Sequence, residues 1–186
     1  MDDPAQRDRR ALQFSSPPSA PPAMLAVVGY SGSGKTTLLV RLIEEFCRRG
    51  LQVGTLKHDV HSFEMDRPGK DTWRHKQAGA AVTIISSPRQ IGMVRDVDYD
   101  HQPQELLPLL NGMDLVLVEG FKGGSQPKIE IFRSAAHKPP ACQGDPHLLA
   151  VVSDIPQEWG VPRFELEDIT ALADFISAHF RLSSRS

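Results

Sequence analysis

Apolar residues along the chain fall into two kinds of run, and the alternation between them sets the expected fold. MLAVVG (24–29), DLVLVEG (114–120) and LLAVVSD (148–154) are continuous and rich in Val and Leu, as strands buried on both faces of a parallel sheet are. From Lys35 onward Leu38, Leu39, Leu42, Ile43 and Phe46 recur at helical spacing, and Arg48, Arg49 and Gly50 supply a stop, so a helix is predicted over 35–49. LQVGTLKH (51–58) reads as a second strand. AVTIIS (81–86) and IGMVRDV (91–97) read as short strands joined through Pro88, and KIEIFR (128–133) alternates as a half-exposed strand does. Further helices are predicted near 70–79, at QPQELLPLLNG (102–112) and at DITALADFISAHF (168–180). The stretch DVHSFEMDRPG is a long polar loop of the kind that carries function, and SAAHKPPACQGDP is a second loop. There is no internal repeat. Strands alternating with helices predict a doubly wound α/β domain, its sheet mostly parallel with helices on both faces, and ligands outside the carboxyl ends of the strands.

Length and composition narrow this without changing it. With 186 residues, 40% apolar and 24% charged, the chain suits one soluble core. Residues 1–23, rich in Pro, Ser and Ala, read as a disordered tail, with one folded domain over 24–181 and a C-terminal tail over 182–186. Translation starting at Met24 would leave that N-terminal tail a dispensable extension. It has neither a signal-peptide core nor the charge of a transit peptide, and no run spans a membrane. A net charge of −2 with both signs interspersed predicts no nucleic-acid or membrane surface. Cys47 and Cys142 lack CxxC spacing, which suits a reducing cytoplasm, and Cys47 is expected to be a buried core thiol.

The chemistry concentrates in one motif. Gly29-Tyr30-Ser31-Gly32-Ser33-Gly34-Lys35-Thr36 fits G-x-x-x-x-G-K-[ST] between a predicted strand and a predicted helix, the context that makes a P-loop specific. The glycines let the backbone aim successive N–H groups at phosphate oxygens, and the helix N-terminus adds positive partial charge. The motif predicts a purine nucleoside triphosphate with Mg²⁺, on a P-loop NTPase-type fold. Lys35 is expected to bridge the β- and γ-phosphates, Thr36 to give its hydroxyl to Mg²⁺, and Thr37 to complete the nucleotide-binding set.

Other candidates lie on strand ends. Glu119, closing DLVLVEG, is the expected magnesium-side acid, a cap being the alternative, and Gly120 permits close approach to the γ-phosphate. Asp114, at the opposite end, is a cap or surface group. Asp59 is the candidate to order a magnesium-bound or attacking water. His58 and His61, three apart, are ordinary loop residues or metal ligands lacking a third partner. Arg67, Lys70, Arg74, His75 and Lys76 form a solvated face or meet an anionic partner. For base recognition, Asn111-Gly112-Met113-Asp114 and Leu56-Lys57-His58-Asp59 are near misses to N-K-x-D. Asp154 is better placed to accept from guanine N1–H and N2–H₂, and a strand-end cap is an equal reading.

Taken in order, VVGYSGSGKTTL, LKHDVHSFEMDRPGKDTWRHKQAGA, DLVLVEGFK and KIEIFR resemble the MobB family of molybdopterin-guanine dinucleotide biosynthesis adapter proteins, over roughly Met24 to Phe180. The resemblance implies GTP binding, weak GTPase activity at most, a homodimer, and association with molybdopterin guanylyltransferase and other molybdenum cofactor proteins. It places the family's P-loop on Gly29 to Thr36, its magnesium-side acid on Glu119 and its charged loop on Lys57 to Arg74. With no water-orienting Gln or arginine finger apparent, and such a finger worth ~10³–10⁵ in rate, slow turnover is expected. A small-molecule kinase with Asp59 as base, or a nucleotide-locked module without turnover, are the alternatives.

Overall fold

The computed structural model describes residues 21–59, 63–136 and 138–183. Along the chain the elements are β1 (Ala23–Val28), α1 (Lys35–Arg48), β2 (Val53–Lys57), α2 (Asp71–Gln77), β3 (Val82–Ser86), β4 (Ile91–Arg95), α3 (Pro103–Leu106), β5 (Leu115–Glu119), β6 (Lys128–Phe132), β7 (Leu148–Ser153), β8 (Arg163–Phe164) and α4 (Ile169–Phe180). The expected tail over 1–23 lies almost wholly outside the described residues. Leu182, expected in the C-terminal tail, packs on the core, and its N–H bonds to the Ser177 carbonyl at 2.9 Å.

Six strands pair in the order β2-β5-β1-β6-β7-β8, every pairing parallel. The continuous apolar runs are the reason: successive residues of β1 and β5 face opposite sides and each side is buried. Leu25, Val27, Leu115 and Leu117 join one core, and Ala26, Val28, Val116 and Val118 the other. Helix α1 lays Leu38, Leu39, Leu42 and Phe46 on the first side, where α4 adds Ile169, Leu172, Ala173 and Ile176. The second side is covered by Leu107 and Leu110 of a 3-10 turn after α3, together with Met113, Phe121, Trp159 and Val161. The fold is thus α/β with a parallel central sheet, the second face receiving a short helix and loops instead of long helices.

Three local expectations are corrected. The helix expected over 102–112 is one turn of α3 followed by a 3-10 turn over Leu107–Leu110, because Pro108 has no N–H for the α-helical ladder. Strand β6 is not half-exposed: Lys128 through Ile131 are all buried, Lys128 paired with Asp145 and Glu130 held by two backbone N–H groups. Cys47 is exposed, since the buried stripe of α1 ends at Phe46 and Cys47 lies a further 100° round the helix by its geometry, about a third of a turn. Strand β8, two residues long, was not expected.

The chain divides into two compact units. The sheet unit runs through His58 and resumes at Gln102; the second unit is Asp59–His101. In the second unit β3 and β4 form an antiparallel pair, Val82 opposite Arg95 and Ser86 opposite Ile91, and Lys76 of α2 pairs with Asp96 at 2.6 Å.

Candidate functional site

Strand β1 occupies an interior place in the sheet, and the chain leaving its carboxyl end makes the P-loop. Gly29 (φ +146°), Gly32 (φ +78°) and Gly34 (φ +99°) all take left-handed backbone. A Cβ on Gly29 would stand 2.5 Å from the Ile131 carbonyl oxygen and 2.8 Å from Ser33 Oγ, so this position admits no side chain. Gly34 caps α1 in the left-handed conformation, no side chain bonds the cap, and no acidic residue lies in the first turn. The leading N–H groups of α1 are therefore left for an anion.

Lys35 folds back across the loop. Its ammonium donates to the Gly29 carbonyl at 3.0 Å and the Tyr30 carbonyl at 2.9 Å, leaving one of its three N–H donors for a ligand. Ser31, Gly32, Thr36 and Thr37 are exposed, whereas Ser33 is buried with an Oγ that has no hydrogen-bond partner among the described residues. An unsatisfied buried hydroxyl inside a phosphate-shaped loop fits a ligand that brings acceptor oxygens.

The register of β1 with β5 sets Val27 beside Glu119. Glu119 closes β5 half-buried, and its carboxylate accepts from Thr36 Oγ1 at 3.1 Å and 3.3 Å. A hydroxyl and a carboxylate in contact at the lip of a phosphate loop are the two protein ligands Mg²⁺ asks for, since that ion keeps several waters and takes phosphate oxygens for the rest. Among the described residues no cluster of three or more His, Cys, Asp or Glu makes an all-protein cage. Gly120 (φ +102°) donates to the Val27 carbonyl at 3.1 Å. Phe121 (φ +56°), left-handed without being glycine, meets the His58 ring at a 38° tilt with centroids 4.1 Å apart.

The remaining candidates separate. Asp59 is exposed and opens the second unit. His61 lies outside the described residues. Asp114 accepts from the Gln52 N–H at 2.7 Å, acting as a cap at the amino end of its strand. Asp154 follows β7 at its carboxyl end and is tied to the neighbouring loop: it accepts from the Ser134 N–H at 2.9 Å and Ser134 Oγ at 3.2 Å, with Arg133 at 3.8 Å. Those Ser134 bonds, helped by Arg133, hold its carboxyl below the usual range. In the second unit, α2 carries Arg74, His75 and Lys76 in its last turn with no buried residue.

Sequence reasoning missed three lysines and two acids that converge beside the loop. Lys122 and Lys138 place their ammonium groups 5.4 and 4.8 Å from the Tyr30 ring centre. Lys128, fully buried, donates to the Lys122 and Gly124 carbonyls at 2.9 and 2.7 Å and to Asp145 at 2.6 Å. Glu130, also fully buried, accepts from the Ala141 and Cys142 N–H groups at 2.7 and 2.8 Å. Beside it the Cys142 thiol is pushed up to about 11, by burial first and the Glu130 charge second. The signal was present in KIEIFR, where charges alternate inside an apolar strand, a pattern that two faces of a sheet can produce buried as well as exposed.

Comparison with known proteins finds relatives in both sequence and structure. The family model described as "MobB: Molybdopterin guanine dinucleotide synthesis protein B" matches residues 24–154. The molybdopterin-guanine dinucleotide biosynthesis adapter protein of Escherichia coli K12 is 40% identical over 159 residues, 82% of this chain and 90% of that one. Its counterpart in Haemophilus influenzae is 38% identical over 157 residues, covering 82% and 86%. The crystal structure of Bacillus subtilis MobB superposes with a TM-score of 0.67 at 28% identity, covering 84% of this chain and 96% of that one.

Proposed function

The chain belongs to the MobB family, and on that premise we propose that it is a GTP-binding adapter in molybdopterin-guanine dinucleotide synthesis, slow to hydrolyse its nucleotide and acting as a homodimer. The observation that carries the nucleotide reading is the contact of Thr36 Oγ1 with both Glu119 carboxylate oxygens at the mouth of the P-loop. Here Gly29, Tyr30, Ser31, Gly32, Ser33 and Gly34 wrap the phosphates, and the N–H groups opening α1 receive their negative charge. Lys35 pins the loop through two carbonyls and offers its third donor to the β- and γ-oxygens, while Thr37 lies on the same first turn. Bound Mg²⁺, held by Thr36 and Glu119, would neutralise charge on those oxygens.

Asp59, a carboxylate two residues past the end of β2, is proposed to order a water for the metal or for attack on the γ-phosphate. Asp154 is proposed to read guanine from the end of β7, the second strand from β1 on the side away from β5. Catalysis by positioning and charge alone, without a cationic finger, gives turnover suited to a switch more than to a metabolic catalyst. The partner implied by the relatives' name is the machinery that joins GMP to molybdopterin. The compartment proposed is the cytoplasm, which two free thiols suit. Among the described residues no helix is long and apolar enough to cross a membrane.

Competition of GTP and ATP against a fluorescent GTP analogue, with and without Mg²⁺, tests the reading. GTP is expected to displace the analogue far better than ATP, binding is expected to weaken without Mg²⁺, and Lys35→Ala should abolish it. Equal competition by ATP removes the guanine role of Asp154. Undiminished binding by Lys35→Ala removes the P-loop reading altogether.

A further inference from the structure

Two loops bring positive charge to the edge of the P-loop, and nothing in the motif calls for it. Lys122 comes from the turn after β5, Lys138 from the loop after β6, and both ammonium groups stand over the ring of Tyr30, at 5.4 and 4.8 Å. Among the described residues neither forms an ion pair with a carboxylate. The ring holds the cations without neutralising them, because attraction to an aromatic face is weak beside that of a formal negative charge.

Their convergence is fixed from below by buried charge. Lys128 grips the Lys122 and Gly124 carbonyls from inside the sheet, and Glu130, two residues along the same strand, grips the N–H groups of Ala141 and Cys142. Lys128 is anchored in turn by Asp145, from the second loop. One strand thus fastens both lysine-bearing loops with fully buried ionic groups, which are costly to desolvate and here hold the two cations over one ring.

We propose that Lys122, Lys138 and Tyr30 form an anion subsite alongside the P-loop, built for a phosphate dianion. The inference rests on the P-loop reading above. Two ammonium groups on mobile stems suit a phosphate as paired point charges, without the fixed fork an arginine would impose. The same chemistry has two sources: the terminal phosphate of the bound triphosphate, or a phosphomonoester on a second molecule presented beside it.

The test is calorimetry on the full chain with Mg²⁺, comparing wild type, Lys35→Ala and the double variant Lys122→Gln/Lys138→Gln. Both substituted lysines are exposed, so the fold is expected to survive, with circular dichroism as the check. The double variant is expected to lose about tenfold or more in affinity for its anion. If GTP suffers that loss and GDP does not, the anion is the terminal phosphate. If phenyl phosphate titrated onto the GDP-loaded protein binds wild type and not the double variant, the anion is a phosphomonoester of a second molecule. Unchanged affinity for GTP, GDP and phenyl phosphate overturns the inference, and so does an equal loss for GTP and GDP without phenyl phosphate binding, which marks a diffuse charge effect. In either case the P-loop reading stands so long as wild type binds GTP and Lys35→Ala does not. Wild type that binds no GTP overturns that reading, and the inference with it.

Discussion

Gly29 and Gly32 both sit in left-handed backbone within the same loop, yet a methyl group meets different surroundings at each. At Gly32 a Cβ would find nothing within 4 Å; at Gly29 it would be driven into the Ile131 carbonyl and Ser33 Oγ. Gly32→Ala is therefore expected to cost only the left-handed strain of an L-residue, about 1–2 kcal/mol. Gly29→Ala adds a backbone clash and is expected to cost at least about 1 kcal/mol more, since strained positions held against packing run to about 3 kcal/mol. Urea denaturation of the two variants measures this, and equal midpoints would show that the loop relaxes where the structure has it pinned. At this scale the loop's backbone was legible, because its left-handed turns ask for glycines at fixed spacing. Lys122 and Lys138 were not: they reach Tyr30 from loops 92 and 108 residues further along the sequence, and no local spacing encodes that convergence.

Strand β6 shows what one element adds. Lys128 has no exposed surface while its partner Asp145 keeps 22% of its side chain in contact with solvent. Burial works against the Asp145 charge, but the Lys128 hydrogen bond, the His147 N–H and the attraction of both outweigh it, so its carboxyl titrates below the usual range. A carboxyl depressed in the folded state stabilises the protein above its ordinary pKa, about 3.9, and that contribution is lost as pH falls through the lower folded value. Asp145→Asn should thus cost about 3 kcal/mol at neutral pH by leaving a buried ammonium without its counter-charge. The gap between wild type and variant should narrow in acid below about pH 4. Chemical denaturation at a series of pH values checks the sign; a gap constant from pH 7 to pH 2 would mean that the pair contributes no linked proton. Most elements were legible because a strand buried on both faces has a distinctive composition. The reading of β6 failed for a physical reason: alternation reports that two faces differ, and buried ionic groups differ from aliphatic ones as much as solvated groups do. The two-residue β8 carries too little pattern to be seen.

At the scale of the whole molecule, the second unit poses a question of stability that its own contacts do not answer. An isolated two-stranded antiparallel sheet is marginal in water, and the β3–β4 pair is built with its apolar side turned outward. Val82 and Ile84 share a face with Ile91 and Met93 through the pairings Ile84 with Met93 and Ser86 with Ile91, and all four are exposed, Ile84 to 61%. A two-fold dimer buries four such side chains from each copy, each already about half covered, which is worth roughly 6–12 kcal/mol, comparable with the ~4–15 kcal/mol that association costs in lost freedom. The face alone therefore leaves a dimer near balance. A second copy of the chain supplies the complementary surface, because a two-fold axis sets identical apolar faces together. The homodimer proposed above is accordingly expected to form through β3 and β4. Sedimentation equilibrium should give twice the chain mass for wild type and the single-chain mass for Ile84→Asp, which places a charge at the centre of that face. GTP binding, if it belongs wholly to the sheet unit, should survive the substitution. A dimer that persists in Ile84→Asp would move the interface elsewhere, and a monomeric wild type would leave the exposed apolar face to a different protein.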